Sequence, residues 1–140
     1  MGYVIREIEI EGRRAVALFD TGAFDNFIVM RKVPPHAKYE RLKKPTIARV
    51  PFRQEELIVD TVYYLRVKIG EYEREYIEFL PVNHDYIDVV YDRDDRPRGI
   101  EAIIGVKGME RMRLIIDPKE DKIYLCRHSP PKPGFLEPIG

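Results

Sequence analysis

Ala15-Val16-Ala17-Leu18-Phe19-Asp20-Thr21-Gly22-Ala23-Phe24-Asp25-Asn26-Phe27-Ile28-Val29 is the stretch on which the fold turns. An apolar run of strand length ends on a carboxylate, Asp20. Thr21-Gly22 follows, and a second apolar run leaves from Phe27 to Met30. A carboxylate between two apolar strands is costly to bury alone, so it persists only where it is paired, hydrogen-bonded or functional. The plainer alternative is a solvated Asp-x-Gly turn, whose chemistry is common. Taken alone, this stretch leaves both open.

The rest of the chain narrows the choice. Its 140 residues suffice for one domain with a real core but not for two. With 44% apolar and 34% charged residues the composition is globular, and a formal net charge of zero sets up no global field toward nucleic acid or membrane. No apolar run approaches the ~20 residues of a membrane span. Met1 to Glu7 has no basic start followed by an apolar stretch, so it does not read as a secretory leader. Gly2 is not followed by the Ser or Thr that myristoylation needs, because Arg6 stands there. Cys126 is the only cysteine, which excludes an internal disulfide and fits a reducing cytoplasm. Few amides (Gln54, Asn26, Asn83) beside abundant Glu, Lys and Arg fit a thermophile's protein.

Composition also removes chemistries. Ser129, the only serine, precedes Pro130-Pro131, a poor setting for a nucleophile that needs a rigid base partner. His36, His84 and His128 are far apart and form no metal-ligand spacing, so no metal and no cofactor is expected; each reads as a surface histidine. No glycine-rich phosphate loop is present. Carboxylates remain for catalysis.

In order, Tyr3 to Ile10 and Arg14 to Phe19 read as strands around a turn at Glu11-Gly12-Arg13. Ala15 to Phe19 is apolar on both faces, as an interior strand requires. Arg31 to Arg49 carries seven basic residues against Glu40 alone, and its prolines break it, so it reads as a solvated surface connection. A nucleic-acid patch is the alternative, weakened by having only Tyr39 as an interleaved aromatic. Thr46 to Val50 and Leu57 to Thr61 form a hairpin about Pro51 to Glu56. Val62 to Ile69 and Tyr72 to Val82 are further strands. Asn83 to Gly99 holds Asp92, Asp94 and Asp95, but Arg96 and Pro97 spoil a calcium loop, so it reads as a solvated mobile loop. Ile100 to Ile104 is a short strand ending at Gly105. Val106 to Met112 allows one or two helical turns, weakened by Gly108. Arg113 to Asp117 and Lys122 to Arg127 make a last hairpin, in or beside which Cys126 packs as a small apolar residue. Residues 129–140 are a proline-rich tail, either disordered or docked as an extended strand on a partner. The pattern is all-β, a closed or sandwich-like sheet with at most one short helix.

Leu18-Phe19-Asp20-Thr21-Gly22-Ala23 resembles the active-site sequence of aspartic proteases, and Asp-Thr-Gly-Ala is the retroviral and retrotransposon form. Asn26-Phe27-Ile28 looks like the retrotransposon continuation. Ala102-Ile103-Ile104-Gly105 resembles the family's second hallmark, two aliphatics and a glycine before a helix. The order of elements agrees over residues 3–127. The resemblance implies a single-domain retropepsin-like fold over 1–128, closed and barrel-like, working as a homodimer on extended polypeptide.

In such a dimer Asp20 of each subunit would meet on the two-fold axis and share one proton, with one carboxylate activating water and the other donating to the scissile carbonyl. By the same resemblance Thr21 would bond across the dimer and Gly22 would accept from the substrate backbone. Ala23 would complete the loop, and Ile103, Ile104 and Gly105 would brace it. Phe24, Asp25, Pro51 and Phe52 would line the substrate, the last two from a flap that closes over it. The chain departs from the family at Phe24, at a flap without glycine between Thr46 and Ile69, at Val106-Lys107, and in the long segment Asn83 to Gly99. A protease-like module that binds or assembles without cleaving is the competing expectation.

Overall fold

The computed structural model describes residues 2–128 and 130–140, so Ser129 lies outside the described residues. Among the described residues strands hold 59%, against one α-helix of seven residues and two short 3-10 turns, so the class is mostly β. β1 (Tyr3–Ile10) and β2 (Arg13–Asp20) pair antiparallel, with Tyr3 opposite Asp20. β3 (Phe27–Val29), β4 (Lys38–Val50), β5 (Glu55–Ile69) and β6 (Tyr72–Val82) follow, then β7 (Asp88–Tyr91), β8 (Pro97–Ile100) and β9 (Ala102–Ile104). Helix α1 (Val106–Met112) leads to β10 (Leu114–Asp117), β11 (Lys122–Cys126) and β12 (Leu136–Ile139). The main sheet runs β1-β2-β9-β3-β6-β5-β4, and β1 also meets β5 at Glu9–Lys68 and Ile10–Val67.

The centre of this sheet is buried on both faces. Along β2, β3 and β9, alternate residues go to two different cores. Ala17, Phe19, Ile28, Ala102 and Ile104 face one core with Met109, Met112, Ile123 and Leu125. Leu18, Phe27, Val29 and Ile103 face the other with Ala23, Val50, Val59, Val82 and Ile87. Two-sided burial is why these strands read as continuous apolar runs rather than as alternation. β9 lies between β2, with Leu18 beside Ile103, and β3, with Phe27 beside Ile103, so the aliphatic pair sits at the sheet's centre under Asp20.

Four segments differ from what their sequence leads one to expect. Between Lys38 and Pro45 the basic run is not a connection but the first part of a thirteen-residue strand, Lys38–Val50, whose Thr46–Val50 end is the expected hairpin arm. It is an edge strand exposed along most of its length, so its side chains carry no alternating signal. The register slips between Arg41 and Thr46, where Pro45 cannot donate to the ladder. Residues 57–61 and 62–69 are one strand, β5. The segment 83–99 is ordered as the β7–β8 hairpin, anchored by fully buried Ile87 and Ile100. The tail docks on its own chain rather than on a partner: β12 pairs with β11, Cys126 opposite Leu136.

Candidate active site

β2 delivers Asp20 half-buried at the end of a strand whose preceding residues, Ala17 to Phe19, are buried. The chain then turns sharply: Ala23 N donates to Asp20 O at 3.2 Å, and Gly22 N donates to Asp20 Oδ1 at 2.8 Å. That second bond fixes the carboxylate against its own loop, as Asp commonly does in turns. Thr21 and Gly22 are exposed beside it, whereas Ala23 is buried.

The loop's carbonyls are what hold it. Val106 N donates to Ala23 O at 2.8 Å and Lys107 N to Phe24 O at 3.0 Å, so the first turn of α1 spends its otherwise unpaired N–H groups on the loop. Gly105 lies directly under it. A Cβ there would stand 2.4 Å from Asp25 O, 2.6 Å from Ala23 O and 2.8 Å from Phe24 O, so only glycine fits. Asn26 finishes the cradle. Buried, it accepts from Gly105 N through Oδ1 at 2.9 Å and donates through Nδ2 to Glu78 O at 2.8 Å. Gly108, an apparent weakness in the helix, is required by the same residue, since a Cβ there would come within 2.4 Å of Asn26 Oδ1.

Ile103 and Ile104 are fully buried on the strand beside Leu18 and Phe19, their register partners, and lead directly into Gly105 under Asp20's loop. Phe24 does not join them, because its side chain is 67% exposed. Asp25 turns to the other side, near Lys107 and Glu78, which form an ion pair. Burial pushes the Asp25 carboxyl up from its usual range; Lys107 opposes this and Glu78 adds to it.

The β4–β5 hairpin supplies the remaining candidates. Pro51 opens its tip, and Phe52 takes a left-handed φ of 70°, a strained conformation for a bulky residue. Phe52's ring stands edge-on to Tyr3 at 6.3 Å, and Tyr3 is the register partner of Asp20. The tip is thereby brought toward the end of β2. It is also tied down: Arg53 donates to Ile87 O at 3.1 Å and pairs with Glu55 at 3.0 Å, and His84 reaches Glu55 at 3.2 Å. Arg53 and then His84 hold the Glu55 carboxyl below its usual range.

Two supporting residues escaped sequence reasoning. Asn26 stood in the quoted motif, but nothing there showed its partners, which lie 52 and 79 residues away. Glu101 is buried between β8 and β9, accepts from Val16 N at 2.9 Å and pairs with Arg31 at 2.6 Å. A charged residue within an apolar run, Ile100-Glu101-Ala102, was the only signal for it. Among the described residues no cluster of three His, Cys, Asp or Glu side chains could hold a metal ion, and no helix is long and apolar enough to cross a membrane.

The fold so built is similar to that of a solved retroviral protease-like domain. The chain superposes on the retroviral protease-like domain of Ddi1 from Leishmania major with a TM-score of 0.52 and 14% identity, over 100% of this chain and 94% of that one. A protein of unknown function from Legionella pneumophila, Lpg0085, aligns with a TM-score of 0.48 and 12% identity, over 83% of this chain and 91% of that one. No protein-family model and no curated protein matches the chain.

Proposed function

We propose that this protein is an aspartic endopeptidase that works as a homodimer, with Asp20 of each copy forming a shared dyad. The observation that carries the reading is the loop geometry. Asp20 stands half-exposed at the end of a buried strand, on a loop braced by Ile103, Ile104 and Gly105 and locked by Asn26. A chain that needed only a turn here would not require such a support.

One carboxylate per chain is half of the needed chemistry. Two Asp20 groups at contact distance cannot both ionise cheaply, so the pair holds one proton. The ionised member takes a proton from a bound water as that water attacks the scissile carbonyl carbon; the other donates to the carbonyl oxygen. The resulting titrations belong to the dyad as a pair. Exposed Thr21 and Gly22 beside Asp20 fit a two-fold contact and an approach by substrate backbone. The Pro51–Gln54 tip would cover an extended polypeptide and exclude water. The free, buried Cys126 fits a reducing compartment such as the cytoplasm.

Cleavage of a denatured protein, measured across the range in which carboxylates titrate, tests the reading. The native chain is expected to cut and Asp20→Asn to lose at least ~1,000-fold in rate, the scale on which removing a member of a catalytic pair acts. Equal cleavage by both would remove Asp20 from the chemistry. A second reading, peptide binding or assembly without cleavage, is favoured by the tether of Arg53 to Ile87 O, which holds the tip down without substrate. Under it, a peptide would bind alike to both forms and neither would cut.

A further inference from the structure

A cavity of about 530 Å³ opens one strand away from Asp20. Tyr3, Ile5 and Tyr91 form its apolar wall, and Arg93, Arg98 and Lys119 stand at its rim. Tyr3 links it to the candidate active site: it pairs in register with Asp20, its ring meets Phe52 of the hairpin tip, and its hydroxyl donates to Tyr91 O at 3.3 Å. Cα atoms paired in this way lie about 4.5–5.5 Å apart. The Tyr3 wall of the cavity therefore lies within one strand spacing of Asp20.

The charges of the cavity do not cancel. Each of its three carboxylates already has a cation: Asp92 pairs with Arg98 at 3.6 Å, Asp94 with Arg96 at 2.9 Å and Asp121 with Arg6 at 3.0 Å. Arg93 and Lys119 have no carboxylate partner among the described residues. They are also brought together: Arg93 Nη2 donates to Lys119 O at 3.1 Å, joining the β7–β8 turn to the β10–β11 turn. Two uncompensated cations beside two tyrosine rings suit a carboxylate on a short apolar stem.

We propose that this cavity is the subsite for an acidic side chain, Asp or Glu, of an extended polypeptide substrate, and that Arg93 and Lys119 set the preference. The proposal rests on the endopeptidase reading for its position relative to the cut. It also accounts for the segment 83–99, whose hairpin turn carries one of the two selecting cations while the β10–β11 turn carries the other. In a two-fold dimer the cavity occurs on both sides of the dyad.

Mass-spectrometric profiling of cut sites in a denatured protein mixture tests it. The native chain is expected to enrich Asp and Glu about fivefold at a fixed position relative to the cut, the scale of two partly exposed charge contacts. Arg93→Gln/Lys119→Gln should flatten that preference, and Arg93→Glu/Lys119→Glu should turn it toward Lys and Arg at the same position. Cuts without acidic enrichment, or enrichment that both variants keep, would overturn the cavity's role and leave the endopeptidase reading standing. If the native chain cuts nothing, that reading fails, and fluorescence anisotropy with a labelled Glu-rich extended peptide and its Gln counterpart decides the cavity. Tighter binding of the Glu peptide by about fivefold, lost in Arg93→Glu/Lys119→Glu, supports it. Equal binding of the two peptides, or none, overturns it.

Discussion

Between Asp20 and Asn26 the chain is held by backbone hydrogen bonds and a buried neutral amide, while between Pro51 and Gln54 it is held by half-exposed charges. The first region has no alternative arrangement. Its carbonyls are spent on Val106 and Lys107, and the space beneath is filled by Gly105. The second has one readily available, because Arg53, Glu55 and His84 can each be solvated when the tip lifts. A site that must keep two carboxylates in register needs the first kind of support; a cover that must open for substrate needs the second. Under the endopeptidase reading the difference suits Asp20 to a fixed position and Phe52 to a moving one.

The contrast breaks most severely at Gly105. Gly105→Ala places a methyl against three backbone carbonyls that cannot turn away, and a loss of about 3 kcal/mol is expected by denaturant unfolding. Gly134→Ala is the control, with nothing within 4 Å of the added Cβ, and should change stability by no more than ~0.5 kcal/mol. Should the two variants unfold alike, the cradle is not what fixes the loop.

Asn26→Ala is next. It leaves Gly105 N unpaired in a buried place and Glu78 O unpaired in a half-buried one, for which about 2–3 kcal/mol is expected in the same assay. A loss below ~0.5 kcal/mol would mean that the loop does not depend on the amide.

At the hairpin tip the global effect should be smallest and the local one plain. Arg53→Ala should lower the melting temperature by no more than about 2 °C, while hydrogen exchange of the 51–55 amides speeds up and that of 20–26 does not. Acid should mimic it. Glu55 is held below its usual 4.5 by Arg53 and His84, so its contribution is present above that value and is lost as pH falls through the lowered one. Protection of the tip amides, measured against their intrinsic exchange at each pH, should therefore fall below pH 4.5 in the native chain and show no such step in Glu55→Gln. Simultaneous opening of the 20–26 loop would erase the distinction between the two regions.

What could be read from residues alone was what short-range pattern encodes. Ala15 to Phe19 announces an interior strand because both faces are apolar, and two-sided burial is what it shows, whereas Ile100 to Ile104, which reads as one short strand, is divided at Glu101, with Ile100 closing β8 and Ala102–Ile104 forming β9. Asp20-Thr21-Gly22-Ala23 and Ile103-Ile104-Gly105 could be picked out as motifs, but why Gly105 must be glycine depends on carbonyls some 80 residues earlier in the chain. Of the Lys38–Val50 strand only the Thr46–Val50 end is legible as one arm of a hairpin, because the rest, a solvent-exposed edge with a bulge at Pro45, has the composition of a loop. The β7–β8 hairpin escaped for a related reason: its Asp- and Arg-rich turn dominates the segment, and only Ile87 and Ile100 at its base mark it as anchored. Glu101 pairs with Arg31 and Lys32, and no local pattern predicts that contact.

The shared dyad is tested most directly by mixing subunits. Native and Asp20→Asn chains, co-refolded at constant total concentration, give activity that depends on how many Asp20 groups one site needs. If two chains build one site, activity falls as the square of the native fraction, to about one quarter at equal parts. A linear fall, to about one half at equal parts, would mean that each Asp20 works within its own chain and would contradict the shared dyad.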